Sequence, residues 1–128
     1  MYNKQIIGKL GENVACDFLK ENGYVLIERN FKCKQGEIDI ISKDTVNGDL
    51  VFIEVKTRTN SLYGHPVEAV NNHKQNHVYN SAKYYIYKNK IENIPIRFDV
   101  IEIFIKNNKF FVNHIKQAID DISIKDLI

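Results

Sequence analysis

An α/β fold with the element order α-β-β-β-α-β-β is what this 128-residue sequence predicts, on three observations. Two stretches carry apolar residues at helical spacing, one near the N-terminus and one past the middle. Between them lie three β-rich segments punctuated by the pairs Asn22-Gly23 and Asn47-Gly48. After the second helical stretch come two more β-rich runs, joined across Asn107-Asn108.

Each element has its own signal. Residues 3–22 place Ile6, Leu10, Val14, Phe18 and Leu19 on one helical face, and Asn22-Gly23 supplies the stop. Tyr24-Val25-Leu26-Ile27-Glu28-Arg29 suits a strand. Gly36-Glu37-Ile38-Asp39-Ile40-Ile41 and Phe52-Ile53-Glu54-Val55-Lys56-Thr57-Arg58 follow as antiparallel strands around Asn47-Gly48, the dipeptide suited to a two-residue hairpin turn. With Asn47 and Gly48 as the central residues, Val46 pairs with Asp49. Carried outward, that register sets Asp39 opposite Lys56 and Ile41 opposite Glu54. Asp39 and Glu54 become diagonal neighbours on one face, about 7–8 Å apart, while Ile38, Ile40, Ile53 and Val55 form an apolar reverse face. Pro66 is a good first helical residue, and Val67, Val70, Val78, Ala82, Tyr85 and Ile86 make a stripe over residues 66–87. Residues 97–105 and 110–115 form the last hairpin, and a short helix is expected over residues 118–127.

Length and a 44% hydrophobic content predict one domain over residues 1–128, with a core that needs no staples. Eighteen basic against sixteen acidic residues leave a net charge of +2, too small to imply nucleic-acid binding without a local basic surface. Cys16 and Cys33 have no metal-ligand spacing and predict reduced thiols. Residues 1–9 hold no apolar stretch of signal-peptide length and no segment approaches a membrane span, so a cytoplasmic protein without membrane contact is expected.

Charge inside apolar strands needs a reason. Period-two alternation puts Glu54, Lys56 and Arg58 on one face of their strand. One reading is a solvated face with the cross-strand pairs Glu37 to Arg58 and Asp39 to Lys56, each contributing about 0.2–1 kcal/mol. Against it, the same face carries Ile41, Leu50 and Phe52, which ask for cover by a helix. The other reading is chemical. Mg²⁺ binds oxygen and keeps several waters, so Asp39 and Glu54 with a substrate phosphate suffice to hold it, and the backbone carbonyl of Val55 adds a further oxygen. Lys56 can then orient water or offset charge on a phosphate. Arg29, Lys32 and Lys34 form a basic cluster before the hairpin, and with Arg58 and Lys74 are candidates for phosphate contact. His73 and His77 are four apart but lack the zinc-binding His-Glu-x-x-His pattern, which favours a solvated or nucleic-acid-facing pair. Asp99, in an alternating strand, is expected to pair with a neighbouring base in a structural role.

The ordered set Gly11-Glu12-Asn13-Val14-Ala15, Arg29-Asn30-Phe31, Gly36-Glu37-Ile38-Asp39, Phe52-Ile53-Glu54-Val55-Lys56-Thr57-Arg58, Lys74-Gln75 and Arg97-Phe98-Asp99-Val100 resembles the YraN family of uncharacterised bacterial proteins. Through Gly-Glu-Ile-Asp and Glu-Val-Lys it also resembles the wider PD-(D/E)XK nuclease superfamily. The resemblance implies a restriction-endonuclease-like fold, a central mixed sheet flanked by helices. It puts Asp39, Glu54 and Lys56 on the superfamily's metal-binding and catalytic positions. Glu12 matches the helix glutamate that completes the metal site in resolvase-like members. Gln75 and Tyr79 are similar to the RecB-type Gln-x-x-x-Tyr motif, with Gln75 supporting the active site. Ile38 stands where the superfamily's nominal pattern has proline. The implied function is hydrolysis of DNA phosphodiesters, in branched or single-stranded DNA, with Mg²⁺ or Mn²⁺ as cofactor and a homodimer favoured by action on two strands. The alternatives are a nucleic-acid-binding protein of the same fold without turnover and, third, a protein-interaction domain.

Overall fold

Apolar periodicity carries the first helix to Glu21, and Gly23, at φ +86°, turns the chain into the sheet. The computed structural model describes residues 4–59 and 72–118, with backbone alone for residues 4 and 72–76. In chain order they form α1 (Lys4–Glu21), β1 (Tyr24–Cys33), β2 (Gly36–Asp44), β3 (Leu50–Arg58), α2 (Asn72–Lys88), β4 (Ile96–Lys106) and β5 (Lys109–Ile115). The order is the predicted one. Pro66 and the expected helix over residues 118–127 lie outside the described residues, apart from Ala118. No helix among the described residues is long and apolar enough to cross a membrane.

The five strands form one mixed sheet in the order β1-β2-β3-β4-β5. Only β3 and β4 run parallel, so the chain must cross over between them, and α2 lies in that crossover. The helices cover opposite faces. On one side Ala15, Cys16 and Leu19 of α1 pack with Ile40, Val51, Ile53, Ile101 and Ile103; on the other Val78, Ala82, Tyr85 and Ile86 of α2 pack with Phe31, Ile41, Leu50, Phe52 and Phe98. Because both faces of β3 and β4 are covered, their sequences run apolar without alternation through Leu50-Val51-Phe52-Ile53 and Val100-Ile101.

The two Asn-containing turns come out differently. Asn107 and Asn108 take φ of +51° and +61°, the left-handed pair of a two-residue turn, with Lys106 facing Lys109 in the hairpin predicted across them. Asn47-Gly48 does not form the predicted two-residue turn. β2 ends at Asp44 and β3 begins at Leu50, the Gly48 N–H donates to the Asp44 carbonyl at 2.8 Å, and Ile40 faces Ile53 while Lys43 faces Leu50. The register is thus shifted by two residues. Long-range electrostatics is the reason. Buried Arg97 of β4 reaches across the end of the sheet, its Nη1 donating to Asp44 Oδ2 at 3.0 Å and Asp49 Oδ2 at 3.1 Å. The loop closes around that guanidinium instead of pairing Val46 with Asp49.

Candidate active site

β2 rolls over at one residue. Strict alternation would put Ile38 and Ile40 on one face, as the sequence predicts. Instead Ile38 belongs to the α2-side cluster with Phe31 and Val78, and Ile40 to the α1-side cluster with Ile53. The reversal falls at Asp39. Across the ladder it is matched at Asn30, which lies between the pairs Arg29 with Ile40 and Phe31 with Ile38 and has φ +53°, a conformation asparagine tolerates better than most residues. Asp39 therefore points between the strands toward β3, where its Oδ2 accepts the Val55 N–H at 2.8 Å. The β2–β3 ladder has already ended at Ile40 and Ile53, so the carboxylate takes up a donor that the ladder leaves behind.

Beside it, Glu54 and Lys56 project from the same face of β3, with Nζ 3.2 Å from Glu54 Oε1 and both side chains largely withdrawn from water. Asp39 and Glu54 border a cleft of about 380 Å³, whose walls include Gly36, Glu37, Val55 and His77. His77 is anchored at its edge, Nδ1 donating to the Gln35 carbonyl at 2.9 Å. Burial pushes the Asp39 carboxyl up to about 6; the Val55 N–H opposes that rise, and the negative fields of Glu54, Glu12 and Glu37 add to it. None of these dominant influences is a cation.

Among the described residues the cross-strand pairs of the solvated-face reading are not formed, for a geometric reason. The shifted register takes Lys56 away from Asp39, and it pairs along its own strand with Glu54. Arg58 turns to β4, its Nε 3.6 Å from Oε2 of the fully buried Glu102, whose Oε1 accepts the Asn113 side-chain amide at 2.8 Å. Glu12 of α1 meets Arg29 of β1, Oε1 to Nη2 at 3.6 Å. Lys32 and Lys34 are exposed at the far end of β1 and in the turn after it. Lys74, Gln75 and His73 lie in the first turns of α2, and their side chains are outside the described residues; Tyr79 packs edge-on against Phe98 at 5.1 Å. Among the described residues no group of three or more His, Cys, Asp or Glu is placed to hold a metal unaided. Asp39 and Glu54 nevertheless fit what Mg²⁺ asks of a protein, which is one or two carboxylates, the remaining positions going to water and substrate phosphate.

Two glycines build the site without being visible as site residues in the sequence. A methyl on Gly11 would overlap Thr57 Oγ1 and lie 3.0 Å from Thr57 Cβ, so only glycine lets α1 approach β3 this closely and brings Glu12 toward Asp39. Gly36, at φ +149°, lies under α2 where an added Cβ would come 3.1 Å from Ser81 Oγ. Their signal was position: each opens one of the motifs that carry Glu12 and Asp39.

Comparison with known proteins shows the family. Residues 11–103 match the model of "Uncharacterised protein family UPF0102", also called YraN. A UPF0102 protein of Clostridium botulinum strain 657 is 48% identical over 120 residues, 91% of this chain and 96% of its own length. One from Clostridium tetani is 49% identical over 120 residues, again 91% of this chain and 95% of its own length. A crystal structure of SSO0001 is similar at a TM-score of 0.41 and 18% identity, over 96% of this chain and 57% of that one, little more than half its length.

Proposed function

We propose that this chain, which belongs to the UPF0102 family, is a divalent-metal-dependent nuclease that hydrolyses phosphodiester bonds in DNA. The observation that supports this most is Asp39. Its carboxylate is held on one backbone N–H, beside Glu54, in a cleft open to a ligand, with acids rather than cations dominating its surroundings. A structural aspartate at that depth would be surrounded by donors. Here the deficit is positive charge, which a divalent ion supplies.

Asp39 and Glu54 would hold Mg²⁺ or Mn²⁺, with the Val55 carbonyl and Glu12 as further oxygen donors; when bound, such an ion neutralises charge at the scissile phosphate. Asp39 is orientated for this by the Val55 N–H, which fixes one oxygen and leaves the other to face the cleft. Lys56 serves two states. Before substrate binds, its ammonium offsets Glu54; with a phosphodiester in place it can turn to the attacking water or to the oxygens on which negative charge builds. Gln75 has the supporting role that its motif implies. Arg29, Lys32, Lys34, Arg58 and Lys74 would be the candidates for phosphate contact, Arg29 and Arg58 while also compensating Glu12 and Glu102.

The test separates binding from turnover. Single-stranded, duplex, flap and four-way-junction DNA are incubated with Mg²⁺ or Mn²⁺ and either wild type or Lys56→Ala. Cleavage by wild type that falls about 100-fold or more in the variant, with binding little changed, is the expected result. Wild type that binds these substrates and cuts none faster than the variant would replace the nuclease with a nucleic-acid-binding protein. Calorimetry with Mn²⁺ adds an independent reading, since Asp39→Asn should weaken metal binding in a folded protein.

A further inference from the structure

α2 contains no acidic residue: its sequence, Asn72 to Lys88, carries Lys74, Lys83, Lys88 and two histidines, and every formal charge on it has the same sign. A helix stabilised by its own surface would interleave acids with these bases. Its inward face is complete, with Val78, Ala82, Tyr85 and Ile86 buried against the sheet. The tyrosines divide accordingly. Tyr85 is 6% exposed and packs edge-on against Phe31 and Phe52, whereas Tyr87 is 80% exposed. Tyr84 lies between these extremes, stacked at 27° on Phe31 with its outer face open, so a rigid ring is presented to solvent with the core behind it.

The helix ends in a capping turn in which the Ile91 N–H donates to the Ile86 carbonyl and the Lys90 N–H to the Tyr87 carbonyl. Lys90 occupies the left-handed position of that turn, φ +53°, where glycine is the usual residue. The helix dipole accounts for a lysine at position 88, but not for Lys83 a turn earlier or for a bare aromatic ring at 87. Together these side chains line a surface hollow of about 1200 Å³, in which Glu92 is the sole acid among the described residues. Among the described residues none of Lys83, Lys88 and Lys90 is held in an ion pair. The hollow and the cleft are separate but lie along one helix: His77 borders the cleft, and Tyr87 lies ten residues further, about 15 Å along the axis.

We propose that Lys83, Tyr84, Tyr87, Lys88 and Lys90 form a track for single-stranded nucleic acid leading away from the cleft, with the Tyr87 ring as a platform for an unpaired base. Charge complementarity selects a polyanion, and the exposed ring selects unpaired bases, because those of a duplex are already stacked on one another. The proposal rests on the nucleic-acid reading of the cleft and gives it a substrate class.

Binding of fluorescent single-stranded oligo-dT and of a duplex of equal length is measured by anisotropy in EDTA, where cleavage cannot interfere. Tyr87→Leu should weaken oligo-dT binding roughly tenfold and leave duplex binding within about twofold, while Tyr87→Phe, which keeps the ring, stays near wild type. Replacing Lys83, Lys88 and Lys90 together by glutamine should lower the salt slope for single strands by about 2. Equal oligo-dT binding by wild type and Tyr87→Leu, or equal losses on both substrates, overturns the track and leaves the cleft's function standing. Wild type that binds neither nucleic acid overturns both readings. Unfolding midpoints of the variants, all changed at exposed positions, check that the fold is kept.

Discussion

Asp39 and Asp99 are strand aspartates of the same sheet, both drawn out of water, and their carboxyls move in opposite directions. Burial alone would raise both. At Asp99 the hydrogen bonds from His114, Nε2 to Oδ2 at 2.7 Å, and from Arg97, together with the Gln117 N–H, more than offset burial and pull the carboxyl below the ordinary aspartate range. At Asp39 one backbone N–H faces three acids, and the carboxyl rises to about 6. The difference is the number and sign of partners, not depth. A compensated buried charge ties the sheet to its loops, whereas an under-compensated one carries a cost in stability.

The largest expected effect lies on the compensated side. Arg97 satisfies Asp44, Asp49, Asp99 and the Tyr24 hydroxyl at once. Arg97→Met should therefore destabilise the protein by about 3–5 kcal/mol at pH 7, measured by urea unfolding. A loss below about 1 kcal/mol would mean that the network is not what holds this end of the sheet.

The comparison is sharpened by pH. Asp39 is raised from 3.8 to about 6 in the folded protein, so the native state binds the extra proton between those values and stability falls as pH rises through about 4 to 6. Asp99 is lowered from 3.8, so its contribution is present above about pH 4 and fades as pH falls further. In metal-free buffer Asp39→Asn should thus be more stable than wild type by up to about 3 kcal/mol at pH 7.5, with the gain vanishing near pH 4. A difference that does not change with pH would rule out the raised carboxyl. Saturating Mn²⁺ should reverse the order at pH 7.5 by stabilising wild type alone.

A smaller effect is expected from the helix that brings Glu12 near Asp39. Gly11→Ala inserts a methyl against Thr57 and should cost about 1–3 kcal/mol; Thr57→Ala in the same chain, by removing Oγ1 and Cγ2, should recover part of it. If thermal unfolding shows no loss in the single variant, the close approach of α1 to β3 is not enforced by that contact.

What could be read without coordinates was local or patterned. The stripe Leu10, Val14, Phe18, Leu19 is periodic enough to identify α1, and Asn107-Asn108 needs only its own backbone to make its turn. The residues Asp39, Glu54 and Lys56 were visible because acids and a base inside apolar strands need a reason. Element order and family followed from such signals and from the motifs around them.

Only the tertiary structure decided the rest, because the deciding partners are far apart in the chain. Arg97 lies 53 residues from Asp44 and 48 from Asp49, and its guanidinium overrides the local preference of Asn47-Gly48, moving the register by two. An even shift preserves faces, which is why the same residues still gather at the site although their partners change. The rollover of β2 at Asp39 needs Asn30 on the neighbouring strand, and the meeting of Glu12 with Arg29 needs α1 seated on Gly11. Side-chain period is a property of a strand alone; ion pairing and close approach are properties of the packed sheet, and they set where the Asp39 carboxylate points.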